Sequence, residues 1–356
     1  MINHNRLPLK LAERLAVHKK VSTEITFLSD QRLLELLETV QSSNPSIGGV
    51  SSLLNIANTT VFVKKIRLTD LERRPENWMS TANVFNLPTY YQYGIGSQGF
   101  GVWRELATHM MTTNWVINNE CPNFPIMYSW RVLPTPKKKP TAEEINELER
   151  DVHYWDNSPA VRKRLKESLN ASASIVLFME FFPHNVSQWL SKELLKGDAA
   201  IEAACTMVDS QLNSTVSFMK AHDLLHFDAH LWNILTDGER LYFSDFGLAL
   251  SPRFELSTPE LTFYKKHFDY DQHYIDIADH YAKWLLIELF GEERWKAVLH
   301  EYAKGHIQKT LPHAISEIIA RYAPTTIIMT DFFEKLKTGA KTVPFPKNEL
   351  QRLTLY

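Results

Sequence analysis

Apolar positions along this chain follow two periods, one helical and one of alternating strand type, and the switches between them mark its elements. Leu33, Leu34, Leu36, Leu37 and Val40 recur at helical spacing behind the capping candidates Ser29 and Asp30. Residues up to about Ser43 therefore read as a helical extension packed on the main fold. The glycine pair Gly48 and Gly49 then leads into two strand-like runs, one ending at Ile56 and one from Thr59 to Leu68. After the glycine-rich stretch Gly94 to Gly101, the residues Val102, Leu106 and Met110 form one helical face with Glu105 beside it. Phe124 to Leu133 reads as a strand. Thr141-Ala-Glu-Glu144 is a capping box, and Ser158-Pro159 opens another helix, so the charged stretch to about Asn170 is expected to be a solvated helical insertion.

Ile175 to Phe182 is an apolar run of buried-strand type that ends at Pro183. From Asp198 a long helix carries Ile201, Cys205, Val208, Leu212, Val216 and Met219 on one face and delivers the chain to His226. Two short apolar runs follow, Ile234 to Thr236 and Leu241 to Ser244, separated by the turn Asp237-Gly238-Glu239-Arg240. They predict an antiparallel hairpin in which Ile234 faces Phe243 and Asn233 lies opposite Ser244. The remainder reads as helical to about Lys337, with a proline-containing tail.

The hairpin is where chemistry gathers. Its register sets Asn233 and Asp245 side by side at the open end, two oxygen donors of the kind a hard divalent cation such as magnesium requires. Asp228, just upstream, stands where a general base for an incoming hydroxyl would stand. Composition changes this picture little. Apolar residues make up 44% of the chain, enough for a large core, and 39 Lys and Arg against 41 Asp and Glu leave no single-sign field to suggest nucleic acid as a partner. Cys121 and Cys205 fit neither a disulfide framework nor a zinc pattern, so a reducing, cytoplasmic setting is expected. The first residues, Met1 to Pro8, lack the layout of a secretory signal, and no run approaches the roughly 18 apolar residues of a membrane span.

The order His226-x-Asp228-x-His230-x-x-Asn233, followed by Asp245-Phe246-Gly247, resembles the catalytic loop and metal-binding motif of the protein-kinase-like superfamily. Phe227 stands where most protein kinases carry Arg, and His230 where they carry Lys. Asp-x-His-x-x-Asn is similar to the loop of aminoglycoside and choline phosphotransferases and of haspin-like kinases, whereas Asp-Phe-Gly-Leu-Ala is similar to ordinary protein kinases. The resemblance implies an α+β, two-lobed fold: the extension 1–43, a small lobe over 44–182 with insertions at about 68–93 and 134–170, and a helical lobe over 183–356. It implies transfer of the ATP γ-phosphoryl group to a hydroxyl, most readily of a protein Ser or Thr. A small-molecule acceptor and a catalytically silent scaffold are the alternatives.

On the same resemblance, Asp228 serves the acceptor hydroxyl, Asn233 and Asp245 hold Mg2+, and His230 contributes a hydrogen bond and partial positive charge to the phosphoryl group. Gly48 and Gly49 stand at the phosphate-covering loop, and Met179 at the adenine, with backbone groups of Glu180 and Phe182 bonding the base. Lys64 or Lys65, held by Glu105, positions the ATP phosphates. Alignment with the family favours Lys64, but adjacent strand residues face opposite ways, and Val63, on the face of Lys65, suits an adenine ceiling better than Phe62 on the face of Lys64, which makes Lys65 a rival. Ser251, Ser257, Thr258 and Tyr264 occupy the activation-segment region. With Phe227 replacing Arg, a phosphate there lacks its usual docking cation, so loop phosphorylation is not expected to be the switch. Asp276 opens an apolar helix reminiscent of the central helix of the large lobe, and Lys137, Lys138 and Lys139 offer a basic site for an acidic partner.

Overall fold

No glycine or proline interrupts the chain between Pro8 and Pro45, and the described part of this stretch folds as helices α1 (Leu9–Phe27) and α2 (Asp30–Glu38). Ser29 sets the break, its side chain accepting the Arg32 N–H at 3.2 Å as N-cap. The computed structural model describes residues 9–39, 49–136, 139–274, 281–308 and 310–353. Val40, Gly48, Lys137, Lys138 and Asp276 lie outside the described residues. The protein is mixed α+β, and it divides into two compact units. The first comprises Met1–Tyr91 and Gly96–Phe181; the second comprises Gln92–Ile95 and Phe182–Tyr356. The N-terminal helices α1 and α2 belong to the first unit.

In the first unit, β1 (Val50–Ile56) and β2 (Thr59–Leu68) form a hairpin through Ala57 and Asn58, both with positive φ, as the twist of a two-residue turn demands. Then come α3 (Val102–Ile117), β3 (Met127–Pro134), α4 (Ala142–Tyr154), α5 (Pro159–Leu169) and β4 (Ala173–Glu180). The four strands form one antiparallel sheet in the order β1-β2-β4-β3. Central β4 is buried on both faces, which is why its sequence reads as an unbroken apolar run. Leu177 and Met179 on one face of β4 cluster with Val102, Trp103 and Leu106 of α3, and Phe62 and Ile66 of β2 pack against that cluster.

Two expectations for this unit need correction. The buried stripe of α3 runs Val102, Leu106, His109, Thr113, Val116, and Met110 is 40% exposed, because a period of 3.6 residues carries the face past it. Strand β3 starts at Met127 instead of Phe124. Pro125 offers no N–H to the ladder, and the Ile126 N–H is drawn to the Glu180 side chain.

The second unit adds β5 (His184–Asn185), α6 (Val186–Leu194), α7 (Asp198–Ala221), β6 (Ile234–Thr236) and β7 (Leu241–Phe243). It continues with α8 (Thr258–Lys266), α9 (Tyr270–Tyr274), α10 (Lys283–Phe290), α11 (Trp295–Ala303), α12 (His313–Thr338) and α13 (Lys347–Leu353). The three strands form a small sheet, β5-β6-β7. Helix α7 buries Ile201, Cys205, Val208, Leu212, Val216 and Met219, the face its periodicity predicts. Tyr93, from the short segment Gln92–Ile95, sits among Phe227, Phe263, His267, Tyr270 and Phe332, with ring centroids 5.4 to 6.5 Å away. Its hydroxyl bonds His267 Nε2 at 2.7 Å. Among the described residues, no helix is long and apolar enough to cross a membrane.

Candidate active site

The hairpin forms in the register its sequence predicts: Ile234 pairs with Phe243, and the Ser244 N–H donates to Asn233 O at 3.1 Å. Asp237 makes the turn, its Oδ1 accepting the N–H groups of Glu239 and Arg240 at 2.9 and 2.8 Å. Asn233 and Asp245 thereby flank the open end of one rigid ribbon. The loop before it is closed by short hydrogen bonds. Asn233 Nδ2 donates to Asp228 O at 2.9 Å and to Asp228 Oδ2 at 3.1 Å, and the N–H groups of His230 and Asn233 donate to Asp228 O and His230 O. With its nitrogen committed to Asp228, Asn233 has Oδ1 to offer a cation.

Two residues here hold left-handed backbone without being glycine, Phe227 at φ +64° and Asp245 at φ +62°. For a bulky aromatic such a conformation is strained, and strain of this kind collects at functional sites. Asp271 stabilises it. This buried carboxylate accepts the N–H groups of both His226, at 2.5 Å, and Phe227, at 2.9 Å. Burial raises its pKa to about 6, against the two hydrogen bonds that lower it. Sequence reasoning missed Asp271, because an Asp five positions before Asp276 carries no signal until the chain is folded.

His226 is fully buried, and burial pushes its pKa down to about 4, so the ring is neutral at neutral pH. Its Nε2 donates to Ser244 O at 3.0 Å and its Nδ1 accepts the Asp228 N–H at 3.4 Å, bracing the loop against the hairpin. His230 Nε2 stands 3.9 Å from Asp228 Oδ2. Burial lowers its pKa, with the Asp245 charge acting in the opposite direction.

The first unit carries its own charged pair. Lys64, 6% exposed, places Nζ 2.7 Å from Glu105 Oε1 of α3, joining strand to helix across 41 positions of sequence. Lys65 is not part of this pair. It faces the other side of β2, where burial lowers its pKa and Glu38 of α2 acts against that shift. Gly49 sits at positive φ where a Cβ would collide with the backbone carbonyl of Lys65, so close approach of the strands already requires glycine there. Met179 is buried in the cluster beneath α3. The Glu180 N–H donates to Ile126 O at 2.9 Å within the sheet. Its side chain is gripped by Arg14 of α1, whose Nε and Nη2 lie 2.9 and 2.7 Å from the two carboxylate oxygens while Nη1 and Nη2 reach Pro122 O and Phe124 O. In the second unit, the Phe182 ring stacks on Tyr242 at 3.7 Å.

The hydroxyls of the segment after Gly247 mostly serve the fold. Ser251 is buried, Ser257 caps α8 in a capping box with Glu260, and the buried Tyr264 donates to Asp223 Oδ1. Among the described residues no three His, Cys, Asp or Glu side chains converge as a metal cage. A pair such as Asn233 and Asp245 suits magnesium all the same, since that ion keeps several waters and is commonly held by one or two carboxylates plus substrate phosphates. Neither a protein-family model nor a curated protein matches this chain.

Proposed function

We propose that this protein is an ATP-dependent phosphotransferase of two-lobed, protein-kinase-like fold, and that it moves the ATP γ-phosphoryl group to a hydroxyl of a protein Ser or Thr. The observation that carries the reading is the loop Asp228 to Asn233, a carboxylate fixed by an amide side chain on a strained backbone that a buried Asp271 fastens. Phosphoryl transfer asks little covalent chemistry of a protein and much positioning, and this loop is built for positioning.

Asp228 orients the acceptor hydroxyl and takes its proton as the new bond to phosphorus forms and the bond to the bridging oxygen of the departing ADP breaks. Asn233 Oδ1 and the Asp245 carboxylate would hold magnesium, which supplies positive charge to the phosphate oxygens. The His230 ring donates a hydrogen bond to the phosphoryl group, and Lys64, kept in place by Glu105, bonds the ATP phosphates.

The test incubates wild type and Asp228→Ala with magnesium and γ-labelled ATP, alone and with a generic protein acceptor. Label should pass to protein with wild type and fall by about 100- to 10,000-fold in the variant, whose circular dichroism stays native. Equal labelling by the two proteins would remove Asp228 from the chemistry. ATP consumed without label on protein would redirect the reading to a small-molecule acceptor.

A further inference from the structure

Helix α3 starts with no side-chain cap of its own, since Gly101 precedes it. The N–H groups of a first helical turn need partners from elsewhere, and the segment after β2 supplies one for Val102 and also holds the side chains of the next two residues. Glu72 Oε1 accepts the Val102 N–H at 3.0 Å, Glu72 O accepts the Trp103 indole N–H at 3.0 Å, and Thr81 O accepts Arg104 Nε at 2.7 Å. The Trp78 ring meets Trp103 edge-on at 4.9 Å.

Glu72 is 1% exposed, and its second oxygen is as fully engaged as the first. Oε2 accepts the Thr69 N–H and hydroxyl at 3.1 and 2.6 Å, and Arg164 Nη1 of α5 at 3.1 Å. Arg164, 3% exposed, also lies over the Phe85 ring at 5.1 Å. One buried carboxylate therefore ties together the stretches at about 68–93 and 134–170 and the first turn of α3, where negative charge is also favoured by the helix dipole. A Cβ at Gly101, whose φ is +156°, would sit 3.0 Å from Glu72 Oε1, so a side chain there would strain the backbone and press the carboxylate aside by a few tenths of an ångström. Glu105 lies in the same first turn.

We propose that Glu72, with Arg164, is a positioning residue that holds α3 where Glu105 stays paired with Lys64. The catalytic relevance of this rests on the phosphotransferase reading; the geometric claim does not.

The deciding experiment follows acylation of Lys64 by an N-hydroxysuccinimide ester, read by peptide mass spectrometry, together with phosphate transfer. It compares wild type, Gly101→Ala, Glu72→Gln, Glu105→Gln and the Glu72→Gln/Glu105→Gln double variant. Glu72→Gln should raise the acylation rate of Lys64 several-fold and lower kcat more than it raises KM for ATP, and Gly101→Ala should act in the same direction by less. In the Glu105→Gln background, Glu72→Gln should add almost nothing, since both changes act through one pair. Should Glu72→Gln fail to fold, Gly101→Ala, which keeps the buried charge, decides. Lys64 acylation unchanged from wild type in the folded variants, or additive effects in the double variant, would overturn the proposal. Acylation that responds as expected while wild type transfers no phosphate would uphold the positioning role and sink the phosphotransferase reading instead.

Discussion

Lys64 and Lys65 show how much one residue's direction decides. Strand β2 is partly buried on both faces, so its sequence has no clean alternation to tell which lysine turns toward α3. Folded, the difference is plain: Lys64 pairs with Glu105 and Lys65 does not. Both members of the pair are almost wholly buried, so removing one leaves an uncompensated charge in the interior. Lys64→Met is expected to lower stability by about 3 to 5 kcal/mol as well as to weaken ATP binding. Lys65→Met should change neither by much. Urea unfolding of the two variants separates the cases, and equal losses would contradict the assignment. Asp271 and Glu72 escaped sequence reasoning for a related cause. A lone carboxylate in a polar stretch is indistinguishable from a solvated one until backbone N–H groups converge on it.

At the scale of elements, legibility followed the strength of the local code. The hairpin register could be read because loop length and alternation leave one solution, and the α7 face because an unbroken 3.6-residue period runs along it. The stretches at about 68–93 and 134–170 could not be read in this way. Their helices were legible from Thr141 and Ser158 as caps, but the burial of Arg164 on Glu72 depends on partners far apart in sequence. Helix α8 gives the corresponding test for the segment after Gly247. Ser257 accepts the Glu260 N–H while Glu260 bonds back to Ser257, so Ser257→Ala should cost about 1 kcal/mol of stability. Phosphate transfer should persist in that variant. Loss of transfer with the fold intact would make Ser257 a switch and refute its purely structural role.

Across the molecule, the second unit holds several imidazole rings whose burial opposes protonation, His226 and His267 inside and His273 half-buried. His226, His267 and His273 are each pushed by burial to a pKa of about 4. The unfolded chain takes up these protons near pH 6.5, before the folded one can, so the stability they reflect is complete above that pH and is lost as pH falls toward 4. For His226 and His267 this amounts to as much as about 3 kcal/mol each. Asp271, raised to about 6, acts with the opposite sign over an overlapping window, because the folded state binds its proton first. Three groups outweigh one. The urea midpoint of the second unit, followed by hydrogen exchange of α7 and α9, should therefore drop between pH 7 and pH 4.5. A midpoint that holds or rises would show that these rings are charged in the folded protein.

The place of Tyr93 also bears on how such a protein can be inherited. Four residues, Gln92 to Ile95, belong to the second unit although the first unit's sequence surrounds them, and Tyr93 fills the centre of an aromatic core built by α8, α9 and α12. A gene fragment beginning at the codon for Phe182 would encode every helix from α6 onward yet omit the ring those helices close around and the hydroxyl that His267 bonds. Recombination that exchanged this portion as one contiguous block would deliver a core with a tyrosine-sized hole. Such an exchange is therefore expected to cost the second unit stability unless the Tyr93 stretch travels with it.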